Sequence, residues 1–238
     1  MTGRRNTGDF MDGKMNVLDV QLDDYTAKEA MKTVTEYMKT EAVNTIEIVT
    51  VDILMRVAED VALKENLEQL DMVLAGDEAI LEAAGVTERR RLQEAEGQVF
   101  LRMLMRFFHK NHSKIFLLAD REEELLQIEN YLKETCGGVQ VVGSAVVPDD
   151  ESADDMIMNR INGAETEADC VLAILSSPKQ EAFIKRCKAV LNAKIWLGIG
   201  KGLDPVRKRA GWKERMADFI EKKILKREIE KEKKKKDI

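Results

Sequence analysis

The stretch CVLAILSSPKQEAFIKRCKAVLNAKIWLGIGKGLD, residues 170–204, reads as strand, sharp turn, helix, strand and glycine-rich turn. Residues 170–175 form a continuous apolar run, the pattern of a strand buried on both faces of a parallel sheet. The polar turn that follows predicts a helix start. Ser177 suits the N-cap, Pro178 the first helical position, and Gln180 stands three residues after Ser177 as a capping-box partner. Lys179, Gln180 and Glu181 then occupy a first helical turn. In a parallel sheet that turn lies beyond the carboxyl end of a strand, where ligands bind, and its free N–H groups favour an anion such as phosphate. An ordinary capped unit with a solvated first turn gives the same pattern, so both readings stand at this point.

Working outward, residues 195–198 are a second buried strand, and the same rhythm extends upstream. Strands are expected at 46–51, 72–74, 114–119 and 139–142. Helices are expected at 52–70, 77–84, 121–134 and 150–167, with one or two more between 87 and 112. Nearer the start, residues 16–22 alternate like an edge strand, and Thr26 with Glu29 makes a capping box opening a helix to about residue 40. Six buried strands alternating with helices point to an α/β chain whose mainly parallel sheet is covered on both faces. Residues 1–13 are polar and expected to be disordered, residues 14–204 form the α/β domain, and residues 205–238 are a basic appendage.

Composition narrows the function. An apolar content of 44% over 238 residues supports a sizeable core. Three cysteines without CxxC spacing indicate neither a disulfide framework nor a zinc site, which fits a reducing cytoplasm. The opening residues hold no apolar core segment and no run approaches the ~18 residues of a bilayer span, so neither standard export nor a transmembrane helix is expected. The net charge of −6 conceals an asymmetry. Residues 204–238 carry 14 Lys or Arg against 8 Asp or Glu, leaving −12 on residues 1–203. That acidic body argues against a general nucleic-acid binder. The segment Gly198-Ile-Gly200-Lys-Gly202 has Leu203 where a dinucleotide fingerprint wants its third glycine, and no P-loop or GxSxG elbow is present. His109 and His112 stand three apart with few other ligand residues near them in sequence, so no metal site is assigned.

SSPKQEAFI followed by IWLGIGKGLD resembles the PKQE and GVGG region of the WecG/TagA/CpsF family of bacterial glycosyltransferases. VLDVQLDDYTAKEA, IEIVTVD, DMVLAGDEAI, KIFLLAD and GVQVVGS match further family blocks in order, so the resemblance covers about residues 17–204. It implies a Rossmann-like three-layer α/β/α fold. It also implies transfer of N-acetylmannosamine or a related hexose from a UDP-sugar to a sugar on an undecaprenyl diphosphate carrier, without a metal or other cofactor, for teichoic acid, common antigen or capsule. The family's T-x-N turn corresponds to Thr50-Val51-Asp52, and its P-D-G aspartate to Asp77 in Ala75-Gly76-Asp77, one residue displaced. Asp77, with Asp52 as second candidate, is therefore the expected base, and Asp77 is equally placed to N-cap the next helix. If Gly76 tightens the turn before it, the carboxylate returns to the family position. Thr50, Lys179, Gln180, Glu181, Gly198, Gly200 and Lys201 are the expected donor-binding residues, and Arg89, Arg207 and Arg209 those for the acceptor diphosphate. A non-catalytic descendant that keeps a nucleotide-sugar pocket is the alternative.

The tail completes the sequence reading. Trp212, Met216, Phe219, Ile220, Ile224 and Ile229 recur at helical spacing among lysines, which predicts a basic amphipathic helix over 211–229. Membrane access through this end in the family favours contact with the anionic inner face of the plasma membrane, where the protein would be peripheral. Packing of the stripe on the domain is the other option, and self-association into a homo-oligomer stays open.

Overall fold

The computed structural model describes residues 13–163 and 167–201. The chain opens with an antiparallel hairpin, β1 (Lys14–Val17) and β2 (Val20–Asp23), where the alternation suggested one edge strand. Leu18 and Asp19 both take positive φ, 53° and 62°, and turn the chain tightly enough that Met15, Val17, Val20 and Leu22 all stay buried. Alternation alone does not reveal such a turn, because the apolar residues Leu18, Val20 and Leu22 alternate straight through it, although the buried set shifts by one position between Val17 and Val20. α1 (Ala27–Tyr37) begins with the expected reciprocal capping box of Thr26 and Glu29.

Six strands form the sheet: β3 (Asn44–Val49), β4 (Met72–Ala75), β5 (Lys114–Ala119), β6 (Gln140–Val146), β7 (Ala168–Ile174) and β8 (Ala193–Gly198). Their order is β4-β3-β8-β7-β5-β6, with every pairing parallel. The expected helix over 52–70 is two, α2 (Val51–Val57) and α3 (Val61–Glu68), because Asp60 caps the second by accepting from Leu63 N–H at 3.0 Å. α4 (Glu78–Ala83) follows β4, and the 87–112 region divides into α5 (Arg89–Glu96) and α6 (Val99–Lys110) at Gln98, whose φ is 48°. α7 (Glu122–Thr135), α8 (Asp154–Asn162) and α9 (Lys179–Cys187) complete the fold.

The strands alternate their side chains between two apolar layers. α1, α6 and α7 pack on one face, over Ile48, Leu74, Leu117 and Leu172. On the other face, α8 and α9 cover Phe116, Val171 and Trp196, while α2, α3, α4 and the hairpin cover Val49 and Val73. This is the three-layer α/β/α architecture. From β5 the chain moves outward to β6, and from β7 it moves the opposite way to β8, so a topological switch point lies between β7 and β5 at the carboxyl edge. The expected tail helix, with Arg207 and Arg209, lies outside the described residues.

Candidate functional site

Four turns meet along the carboxyl edge, those after β3, β4, β7 and β8. Thr50 ends β3 in the cap position of α2, is 8% exposed, and makes no side-chain cap bond. Asp77 is the cap residue of α4 but does not bond that helix's N–H groups through its side chain. Its Oδ2 instead accepts from Val51 N–H, on the neighbouring turn, at 3.1 Å. The carboxylate thus spans from the end of β4 to the start of α2, beside Thr50. Gly76 extends the strand pairing, donating to Val49 O at 2.8 Å, and is not among the glycines with positive φ, so the turn is not tightened by a left-handed residue. Asp52, one position along α2 from Val51, faces solvent and pairs with Arg56 at 3.0 Å.

The start of α9 departs from the expected capping box. Pro178 occupies the cap position and the helix begins at Lys179, with no side-chain cap bond from Ser177. The reason is the direction taken by Gln180. It turns inward, is fully buried, and its Oε1 accepts from the N–H groups of Leu175 and Gly200, each at 3.3 Å. Its Nε2 donates to Glu47 Oε1 on β3, so both ends of the amide are engaged. Glu181 is also fully buried. Burial pushes Glu181 up to about 7, and burial followed by the charge of Glu181 holds Glu47 well above the usual carboxylate range.

The two lysines are already paired with carboxylates. Lys179 Nζ lies 2.6 Å from Asp120 and 3.0 Å from Asp149, and donates to Val147 O at 2.7 Å. Lys201 Nζ lies 3.0 Å from Asp120 and 2.5 Å from Glu124. Asp120 also accepts from Ser176 N–H at 2.9 Å, so it ties together the chain ends at the switch point. Burial alone would raise Asp120, but hydrogen bonds from Lys179 and Lys201 outweigh it and hold the carboxyl below its usual value.

Gly198 is required by close approach. A Cβ there would fall on Glu47 Oε2 and lie 2.7 Å from Gln180 Nε2. Gly200 has φ 56°, where a side chain is strained. Arg89 is exposed at the start of α5, whereas Arg91, two residues on, is mostly buried and ion-paired with Asp24. Arg91 lines a cleft that opens to solvent between the hairpin, α1, α5, α6 and the end of β4. Its lining is largely apolar, including Ala30, Ile48, Leu74 and Phe100, with Tyr25 and Thr26 among the polar members. Gly76 lines it too, so it reaches the residue before Asp77 but not Thr50 or Gln180.

The structure therefore brings Thr50 and Asp77 together, and Gln180, Gly198 and Gly200 together, while Asp52 and Arg89 point away. Glu47, Asp120 and Arg91 had no assigned role in the sequence reading. Glu47 carried a usable signal, a lone charge inside the apolar strand IEIV. Among the described residues, no group of three or more His, Cys, Asp or Glu is arranged to hold a metal ion.

The profile of the glycosyl transferase WecG/TagA/CpsF family matches residues 15–224. The chain is also 22% identical over 213 residues to an N-acetylglucosaminyldiphosphoundecaprenol N-acetyl-beta-D-mannosaminyltransferase of Staphylococcus aureus (strain MRSA252), covering 89% of this chain and 81% of that protein. With a family profile that spans most of its length, the chain belongs to the WecG/TagA/CpsF family and is a glycosyltransferase.

Proposed function

We propose that this glycosyltransferase moves N-acetylmannosamine or a related hexose from a UDP-sugar to a sugar on an undecaprenyl diphosphate carrier, in the synthesis of a cell-surface polysaccharide or teichoic acid. Family membership and the activity named for the S. aureus relative support the donor and acceptor classes. The reaction would take place at the inner face of the plasma membrane, since the acceptor is lipid-linked. Among the described residues, no helix is long and apolar enough to cross a membrane.

The observation that carries the reading is the position of Asp77, held by Val51 N–H next to Thr50 and one residue from the cleft. In sugar transfer the acceptor hydroxyl attacks the anomeric carbon, its proton passes to a base, and UDP departs. Asp77 is the proposed base, fixed in place by its bond to Val51 N–H, and the cleft beside Gly76 is the proposed pocket for the sugars. N–H groups at the starts of α2 and α9 are proposed to meet the donor diphosphate. Lys179 and Lys201 can join them only by parting from Asp120 and Glu124. Retained PKQE and GIG beside the altered turns, with Asp52 in place of the T-x-N amide and Asp77 displaced by one residue, favour a second reading, in which the chain binds a nucleotide sugar without turnover.

The test is UDP release from UDP-N-acetylmannosamine with a short-chain lipid diphosphate acceptor, using wild type and Asp77→Asn. Loss of a general base is expected to lower kcat by about 10²- to 10⁴-fold. Wild-type turnover untouched by Asp77→Asn would remove Asp77 as base and bring forward Asp52. UDP binding without release of product in wild type would favour the second reading.

A further inference from the structure

We propose that Glu47 is a positioning residue of the nucleotide-sugar site: it locks the Gln180 carboxamide so that Gln180 acts as a bracket between the turns after β7 and β8, not as a donor contact. The inference rests on the transferase reading for its kinetic consequences, and on the hydrogen bonds of Gln180 for the bracket itself.

The geometry leaves Gln180 little freedom. Two backbone N–H groups, from Leu175 and Gly200, converge on its Oε1, which fixes which end of the amide is oxygen. Nε2 must then face Glu47, and it does. Both side chains are fully buried, so no surface of the amide is offered to a ligand in this arrangement. Leu175 leads into Ser176 and the start of α9, and Gly200 leads into Lys201. Gln180 thus sets the spacing of two turns that each carry a lysine. Removing Glu47 would strand an amide N–H in an apolar interior and free Gln180 to rotate away from the two backbone groups.

The carboxyl of Glu47 is itself unusual. Its Oε2 has no hydrogen-bond partner, and the charge of the buried Glu181 carboxyl acts on it. An ionised carboxylate in such a place is strongly disfavoured, and two near each other more so. A neutral carboxyl at Glu47 satisfies the geometry, with its carbonyl oxygen accepting from Gln180 Nε2. The groups facing this pair are Gln180 and Glu181 of α9, Gly198 of β8, and, toward Glu181, Arg56 of α2 and Asp60 before α3. A glutamine at position 47 reproduces the neutral carboxyl in shape and in its acceptor oxygen.

Two readouts test the idea on the full chain. Amide hydrogen exchange of the unliganded protein is expected to show about tenfold or greater loss of protection at Leu175 and Gly200 in Glu47→Leu, and near wild-type protection in Glu47→Gln. In the UDP-release assay, Glu47→Leu and Gln180→Leu are each expected to raise the donor KM about tenfold or more with kcat within about threefold. The double variant should be no worse than either single one, since the two residues act as a unit. Glu47→Gln should rescue the KM to within about threefold of wild type. Unchanged exchange in Glu47→Leu, or a Glu47→Gln variant as impaired as Glu47→Leu, overturns the proposal. A kcat loss in Gln180→Leu that Glu47→Leu does not share also overturns it, by showing Gln180 at the reacting atoms. If Glu47→Leu does not fold, Glu47→Gln decides alone, because loss of protection at either amide there contradicts the bracket. Absence of turnover in wild type would count against the transferase reading only, and the exchange result would still decide the role of Glu47.

Discussion

Gly198 shows how tightly the site is built at the scale of one residue. A methyl group there meets the carboxyl of Glu47 and the amide of Gln180, both buried and unable to swing into solvent. Gly198→Ala is therefore expected to cost about 1–3 kcal/mol, as overpacking does. In a Glu47→Ala background the same change should cost less, which thermal unfolding of the four-member cycle would reveal. The buried carboxyls also set a pH dependence. Burial raises Glu181 to about 7 and raises Glu47 well above its ordinary value, so both hold protons in the folded chain at a pH where the unfolded chain has lost them. Their contribution to stability is full below about pH 4.5 and falls as pH rises through 7, by about 3 kcal/mol for Glu181 alone. Asp71, Asp120 and Glu124 are held below their ordinary values, so their contribution grows from acid pH and is complete by about pH 5.5. Urea denaturation is accordingly expected to give lower stability at pH 8 than at pH 5.5, with a shallower fall in Glu47→Gln. Equal stability at the two pH values in wild type would mean that these carboxyls are not buried as described.

At the scale of elements, local chemistry explains both what was legible and what was not. The capping box of Thr26 and Glu29 is reciprocal, with Thr26 N–H donating to Glu29 at 2.8 Å and Glu29 N–H to Thr26 Oγ1 at 3.3 Å. Thr26→Ala should cost about 1 kcal/mol and lower Tm by about 2–4 °C in a chain of this size. No change in Tm would mean that α1 is held by packing alone. The same motif in Ser177 and Gln180 misled, because two buried backbone donors, the N–H groups of Leu175 and Gly200, took the Gln180 carbonyl oxygen away from the cap. Strands β3, β4, β5, β7 and β8 were legible because buried strands read as apolar runs, whereas β6 lies half-exposed at the sheet edge and runs to Val146, past the expected end at residue 142. The breaks at Asp60 and Gln98 were not, since both lie within otherwise continuous helical patterns and depend on one residue's backbone or side chain. Thr50 and Asp77 were recognisable through family motifs, whereas their contact through Val51 N–H joins turns 26 positions apart and has no sequence signature. Asp120 is a similar case, meeting Lys179 and Lys201 only because β5, β7 and β8 end together.

On the scale of the molecule, the sheet order gathers the family's motifs at one edge and leaves its charge asymmetry to the chain end. The acidic body and the net +6 of residues 204–238 suit a protein that must meet an anionic surface through one region only. Our proposal of membrane contact through this tail expects full-length protein to sediment with anionic liposomes and a chain ending at Arg209 to remain in the supernatant. Equal pelleting of both would remove the tail from membrane binding. Where the nucleotide sugar sits is the most direct question for the whole reading. Hydrogen exchange with and without saturating UDP-N-acetylmannosamine should show new protection in the amides of residues 50–53, 76–79, 175–181 and 198–201, the turns after β3, β4, β7 and β8 at the carboxyl edge. Protection confined to the opposite edge, around Asp71 and Lys188, or no protection anywhere at saturating ligand, would contradict the siting of glycosyl transfer at the carboxyl edge.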